Sequence, residues 1–211
     1  MTIPTTFFRN SDAAKKVASS NFVTKSGAYE GRIAQASLRE SPGGATGLDI
    51  VFKTTDGANA FLTLWIIAKD GSRTFQNDIF DAILAVLGLE SVEAKAGNVF
   101  GRKGEKAQGY RLFDIENKPL GLVIQRAQRF YVDQQTGEER ETYTLNILTP
   151  FDPATRKVAK EILDGEEAKR LDGIVATLKD KPGKHVAGTS AAYTEADVPP
   201  KSDVHDDDIP F

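Results

Sequence analysis

The sequence predicts a mainly β domain with some α-helix, and three observations carry that prediction. Apolar residues alternate with polar ones at a period of two after residue 47, the period becomes helical near residue 77, and it returns to two over residues 119–151. A chain of 211 residues, 27% charged and 40% hydrophobic, suits one core of ordinary size with appendages. The expected division is an N-terminal extension over 1–20, one domain over 21–182, and an acidic tail over 183–211.

The elements follow in order. "AYEGRIAQASLRES" (28–41) reads as a long first strand, ended by the Gly/Pro-rich loop "SPGGATG" (41–47). Leu48, Ile50 and Phe52 alternate with Asp49, Val51 and Lys53 in a half-buried second strand, and Asp56-Gly57 marks a tight turn. In "NAFLTLWIIAK" Leu62, Leu64 and Ile66 share one face, while Phe61, Thr63, Trp65 and Ile67 share the other, so the third strand is apolar on both sides. "NDIFDAILAVLGL" carries a helical stripe of Ile79, Phe80, Ile83, Leu84 and Leu87, with Asn77 as the expected N-cap and Gly88 at the expected left-handed end. The glycine- and base-rich passage 96–111 is too polar for core and reads as a loop or hairpin. "PLGLVIQRAQRFYVDQQTGEERETYTLNILTPF" (119–151) reads as two long strands around the turn "QQTG". Asp152-Pro153 then looks like a helix opening, leading to a helical pair interrupted at Gly165 and stopped by Pro182-Gly183. Three strands, a helix, then two strands is the element order of an OB-fold-like five-stranded barrel, here with an extra loop or hairpin and C-terminal helices.

Composition narrows the chemistry. With no cysteine there are no disulfides and no thiolate sites, and with two histidines, His185 and His205, there is little for zinc or histidine acid–base work. No cofactor and no metal is expected, no nucleophile is paired with a base, and the chain reads as a non-enzyme. No run approaches a membrane span and the first residues lack the order of a secretory signal, so the expected compartment is the cytoplasm, with no membrane partner. The net charge of −3 divides unevenly: from residue 186 onward there are six acids and one base, which leaves 26 Lys and Arg against 24 Asp and Glu upstream, a net of +2. A mildly basic body thus precedes an acidic arm.

OB-folds that bind single strands stack bases on exposed aromatics and track phosphates with Lys and Arg. The candidates here are Phe61 and Trp65 with Lys53, Lys69 and Arg73; Arg102, Lys103, Lys106, Tyr110 and Arg111 in the glycine-rich passage; and Arg126, Arg129, Tyr131 and Tyr143 in the last two strands. The plainer reading of Trp65 and Phe61 is core packing beneath the C-terminal helices, and that of the loop bases is a solvated loop. "GRKGEKAQG" lacks the lysine–hydroxyl pair of a phosphate-binding loop. The tail, with small residues, Pro199-Pro200 and acids, has no apolar periodicity and is expected to stay unfolded. Its stretch "DDDIPF" places Ile209, Pro210 and Phe211 behind Asp206, Asp207 and Asp208, a combination that suits docking to a basic-rimmed apolar pocket better than plain solvation.

That stretch is similar to the C-terminal tip of bacterial single-stranded DNA-binding proteins. "FVTKSGAYEGRI", "WIIAKDG" and "NDIFDAILAVLGL", within residues 20–180, resemble the divergent phage-encoded members of that group. The resemblance implies an OB-fold body that coats single-stranded DNA with little sequence preference, and a tip, Asp206 to Phe211, that recruits replication, recombination and repair enzymes of host or phage. Two alternatives remain at this stage: a recombination mediator or strand-annealing protein, and a protein-interaction adaptor without DNA binding. The sequence leaves the oligomeric state open, a homodimer being one arrangement it allows.

Overall fold

The computed structural model describes residues 22–101 and 104–183. Within them run seven strands: β1 (Gly27–Glu40), β2 (Thr46–Thr54), β3 (Asn59–Ile67), β4 (Lys95–Phe100), β5 (Lys106–Arg111), β6 (Pro119–Val132) and β7 (Glu139–Phe151). Helix α1 (Phe75–Val86) follows β3, and two short helices, α2 (Ala159–Leu163) and α3 (Arg170–Thr177), follow β7. The strands form one sheet of antiparallel pairs in the order β3-β2-β1-β5-β4, with β6 joined to β1 and β7 to β6.

Strand β1 organises the molecule because it is long enough to serve two neighbourhoods. Its residues 31–40 pair with β2, while residues 27–32 pair with β6 along the opposite edge. A bulge between Ile33 and Gln35 shifts its register against β2. Such a bulge bends and twists the strand.

The period-two pattern decides which face is core. Leu48, Ile50 and Phe52 of β2 and Leu62, Leu64 and Ile66 of β3 are buried together with Ile33, Leu120, Leu122, Ile124 and Ile147. Burying each such side chain stabilises the fold by about 1.5–3 kcal/mol, and a one-residue slip would turn the whole set outward. The register is therefore held by packing.

Helix α1 supplies a fully buried Ile83, with Ile79, Phe80 and Leu84 packed beside it. It contacts both β3 and β7. No ladder joins those two strands, so the sheet is not closed, and the helix fills the gap between its ends. The helix begins earlier than the sequence suggests. Thr74, not Asn77, is the N-cap: its hydroxyl accepts from Gln76 N–H and donates to the Trp65 carbonyl. A tertiary partner on β3 thus chose between two capping residues, while Asn77 became a buried residue within the helix that donates to Asp81. Gly88 takes the left-handed conformation expected of it, at φ 67°.

Two other expectations are refined. The passage 96–111 is a β-hairpin, β4 and β5 in register from Lys95↔Arg111 to Phe100↔Lys106. Asp152-Pro153 does not open a helix. The Asp152 carboxylate accepts from Ala154 N–H and Thr155 hydroxyl, which closes a turn instead, and α2 starts at Ala159. Its opening is held by Glu161, whose buried carboxylate accepts N–H bonds from Val158, Lys169 and Arg170 and so ties α2 to α3. These helices cover a second, smaller core of Val123, Phe151, Val158 and Leu171. They do not lie over Trp65, which belongs to neither core. Among the described residues no helix is long and apolar enough to cross a membrane.

Candidate nucleic-acid interface

The outer face of β1, β2 and β3, opposite the main core, gathers Phe61, Trp65 and Lys53 from the first group of candidate residues. Cross-strand register sets Trp65 opposite Gly47 and Gly47 opposite Arg39, then Thr63, Asp49 and Ser37, then Phe61, Val51 and Gln35. Trp65 is half-buried, and its six-membered ring lies 3.0 Å from where a Cβ on Gly47 would stand. Glycine lets the ring lie close across the strand, where a Cβ would make the indole and the Arg39 stem give way by a few tenths of an ångström. The Trp65 backbone is pinned from the free edge of β3, its N–H donating to Gln76 Oε1 at 2.6 Å. The indole is therefore mounted on fixed backbone, its position set by α1.

Around the indole the sheet presents charge. The Arg39 guanidinium carbon stands 5.2 Å from the centre of the Trp65 ring, and its Nη1 lies 3.6 Å from Asp49 Oδ1. Asp49 also accepts the Thr63 hydroxyl at 2.6 Å. Lys53 and Arg32 are partners across the β1–β2 ladder and both are exposed. At the far end Phe61 meets Phe22, ring centres 6.0 Å apart, where the chain entering the domain pairs with Asn59.

The β4–β5 hairpin adjoins this face at β1, on the side away from β2. Gln35, on the outer side of β1 yet buried, accepts from Phe100 N–H and donates to the Phe100 carbonyl. That pair of bonds holds the tip of β4 against the outer side of β1. Phe100 itself is 49% exposed and Tyr110 60%, and Lys106 is exposed at the start of β5. Arg102 and Lys103 lie outside the described residues. Arg111 anchors the hairpin's base: its guanidinium grips Glu116 at 2.6 Å, and Glu116 also accepts from Ala36 N–H. With the Arg111 side chain only 14% exposed, its charge is spent inside the fold.

The remaining candidates sit elsewhere. Lys69 is exposed in the turn after β3, and Arg73 is paired with Asp81 of α1. In the β6–β7 hairpin Arg126 lies 4.8 Å over the Tyr143 ring and is flanked by Glu141 and Asp180, each at 3.4 Å. A hydrogen bond from the Ser26 hydroxyl is the main cause that holds the Asp180 carboxyl below its usual range, so this partner of Arg126 stays charged. Arg129 and Tyr131 point to the opposite face from Arg126 and Tyr143, as the register requires. The hairpin is thus laced with ion pairs, while the β1–β3 face combines aromatics with exposed bases.

Sequence reasoning missed Phe22, Arg32, Arg39, Asp49 and Phe100 as members of this face. Arg39 and Trp65 are 26 residues apart, and nothing but the register through Gly47 brings them together. Among the described residues no group of His, Asp or Glu is arranged to hold a metal ion. His205 and Asp206 to Phe211 lie outside the described residues, as do the N-terminal extension and the tail beyond Gly183. Compared with known proteins, the chain matches no protein-family model and no curated sequence.

Proposed function

We propose that this chain is a non-catalytic single-stranded DNA-binding protein of the phage-encoded type it resembles, which coats single strands with little sequence preference during DNA replication, recombination and repair. The observation that carries the reading is the outer face of β1–β3, where Phe22, Phe61 and Trp65 interleave with Lys53, Arg32 and Arg39 beside the β4–β5 hairpin. Base stacking on aromatics is sequence-tolerant because every base has a π-face, at about 1–3 kcal/mol per base. Exposed bases on the same face suit the phosphates that run between the stacked bases.

The arrangement of strands supports an OB-like body. Taken without the β4–β5 hairpin, the strands pair β3-β2-β1-β6-β7 with α1 at the seam, the plan of a barrel whose last closure is taken by a helix. In this reading Asp206 to Phe211 docks partner enzymes, the apolar residues entering a pocket and the aspartates steering approach to a basic rim. The acidic arm competes with phosphate for the basic face when no DNA is bound.

Fluorescence anisotropy with labelled oligo-dT, oligo-dA, duplex and RNA tests the proposal. Binding to oligo-dT tighter than to duplex, with log affinity falling linearly against log salt, is the expected result. Equal affinity for duplex, or indifference to salt, would sink it.

A further inference from the structure

We infer that Trp65, Gly47, Arg39 and Asp49 form a base-reading station selective for guanine, in which the Arg39 guanidinium holds the place of the base when DNA is absent. The inference rests on the single-strand reading above and adds one position of preference to an otherwise tolerant surface.

The Arg39 guanidinium occupies a place between a ring and a carboxylate. Trp65 forms the floor, lying across Gly47, and the Arg39 guanidinium carbon stands 5.2 Å from its ring centre with Nη1 3.6 Å from Asp49 Oδ1. The seat therefore has two requirements: a flat π-stacking body and N–H donors along the edge toward the carboxylate. Among the nucleobases, guanine alone carries two adjacent donors on its pairing edge, N1–H and the 2-amino group, on the same N–C–N frame as a guanidinium. Thymine brings one N–H between two carbonyl oxygens, which the Asp49 carboxylate repels. Adenine and cytosine bring an amino group beside a bare ring nitrogen. A carboxylate accepts a paired donor set in the bidentate manner it uses for arginine.

The occupant is easily displaced. The Arg39 and Asp49 side chains are 47% and 39% exposed, and an ion pair in that setting contributes little. The displaced guanidinium stays on the same face, where a phosphate next to the seated base is a better partner than water. The Thr63 hydroxyl, donating to Asp49 Oδ1 at 2.6 Å, orients the carboxylate and leaves Oδ2 and further lone pairs for the base edge.

The test uses the full chain and fluorescein-labelled fifteen-nucleotide oligo-dT carrying one central substitution: guanine, inosine, adenine or none. Guanine should tighten binding by about five- to tenfold, the lower part of the range for a bidentate base contact. Inosine, which lacks the 2-amino group, should bind like unsubstituted oligo-dT. The Asp49→Asn variant should bring the ratio of guanine to inosine affinity down to about one, whatever its affinity for oligo-dT. Equal affinity of the wild type for guanine, inosine and unsubstituted strands overturns the station, and this arm needs no variant to fold. A guanine preference that survives in Asp49→Asn also overturns it, since the carboxylate is then not the reader. Failure to bind oligo-dT at all would instead remove the single-strand reading on which the station rests.

Discussion

Trp65 is the only tryptophan in the chain, so its emission reports on one place. If it stacks a base, oligo-dT should quench that emission, and Trp65→Ala should cost about 1–3 kcal/mol of binding with a small effect on thermal stability. A large fall in melting temperature with no change in DNA affinity would return the residue to a packing role. Gly47 tests the same site from beneath. Gly47→Val places a branched side chain where the indole ring lies, which should tilt the ring off the strand and weaken oligo-dT binding, with overpacking costing about 1–3 kcal/mol of stability. Changed emission of the free protein would reveal the displaced ring before DNA is added. Glu161 matters for the opposite reason, because it works inside the fold. Burial pushes its pKa up, but N–H bonds from Lys169, Val158 and Arg170, helped by the charge of Arg170, outweigh that and hold it below the ordinary value of 4.5. A carboxyl whose folded pKa is depressed stabilises the protein above its unfolded pKa and ceases to do so as pH falls through the folded value. Urea unfolding should therefore show a loss of stability below about pH 4.5 that is smaller in Glu161→Gln. At neutral pH that variant should cost about 1–3 kcal/mol, since an amide nitrogen faces one of the three N–H donors. An unchanged urea midpoint at both pH values would show that Glu161 does not hold the helices.

Among the elements, α1 was the most legible and the β4–β5 hairpin the least. The helical stripe around Ile83 and the left-handed Gly88 are local signals, and both are realised where the periodicity puts them. What the stripe could not say is that α1 lies in the seam between β3 and β7. Ile83→Ala should cost about 2–5 kcal/mol, the range for a buried large-to-small change, measured as a shift of the urea midpoint. A cost below 1 kcal/mol would mean that the seam does not depend on the helix. The hairpin is polar enough to pass for a loop, and its place against β1 depends on Gln35, a buried polar side chain that bonds Phe100 backbone across 65 residues of sequence. No periodicity records a contact of that kind. Arg111 shows the same limit: as a loop base it reads as a hand for phosphate, but in the fold Glu116 has taken it.

For the whole molecule, the proposed function assigns DNA to the basic body and partners to the acidic end. Each phosphate contact made by the body should contribute about −0.7 to the slope of log affinity against log salt, so a salt titration counts the contacts. Deleting Asp206 to Phe211 should abolish pull-down of partner enzymes and leave single-strand affinity unchanged or raised, because fewer carboxylates then compete for the basic face. Phe211→Ala should lose the partners without strengthening DNA binding, as it leaves every aspartate in place. A deletion that loses DNA while keeping partners reverses the assignment of the two ends. The sequence by itself determined the β character, five of the strands, the helix between them, and the residue types available for stacking and charge. Those properties are local or additive, and each residue carries its share whatever its neighbours in space. Only the tertiary structure decided that the sheet stays open with α1 in the gap, that the last helices cover Val123 and Phe151 and leave Trp65 clear, and that Arg39, Gly47, Asp49 and Trp65 meet. Those facts depend on strand register, which is set by the packing of a core drawn from the whole length of the domain.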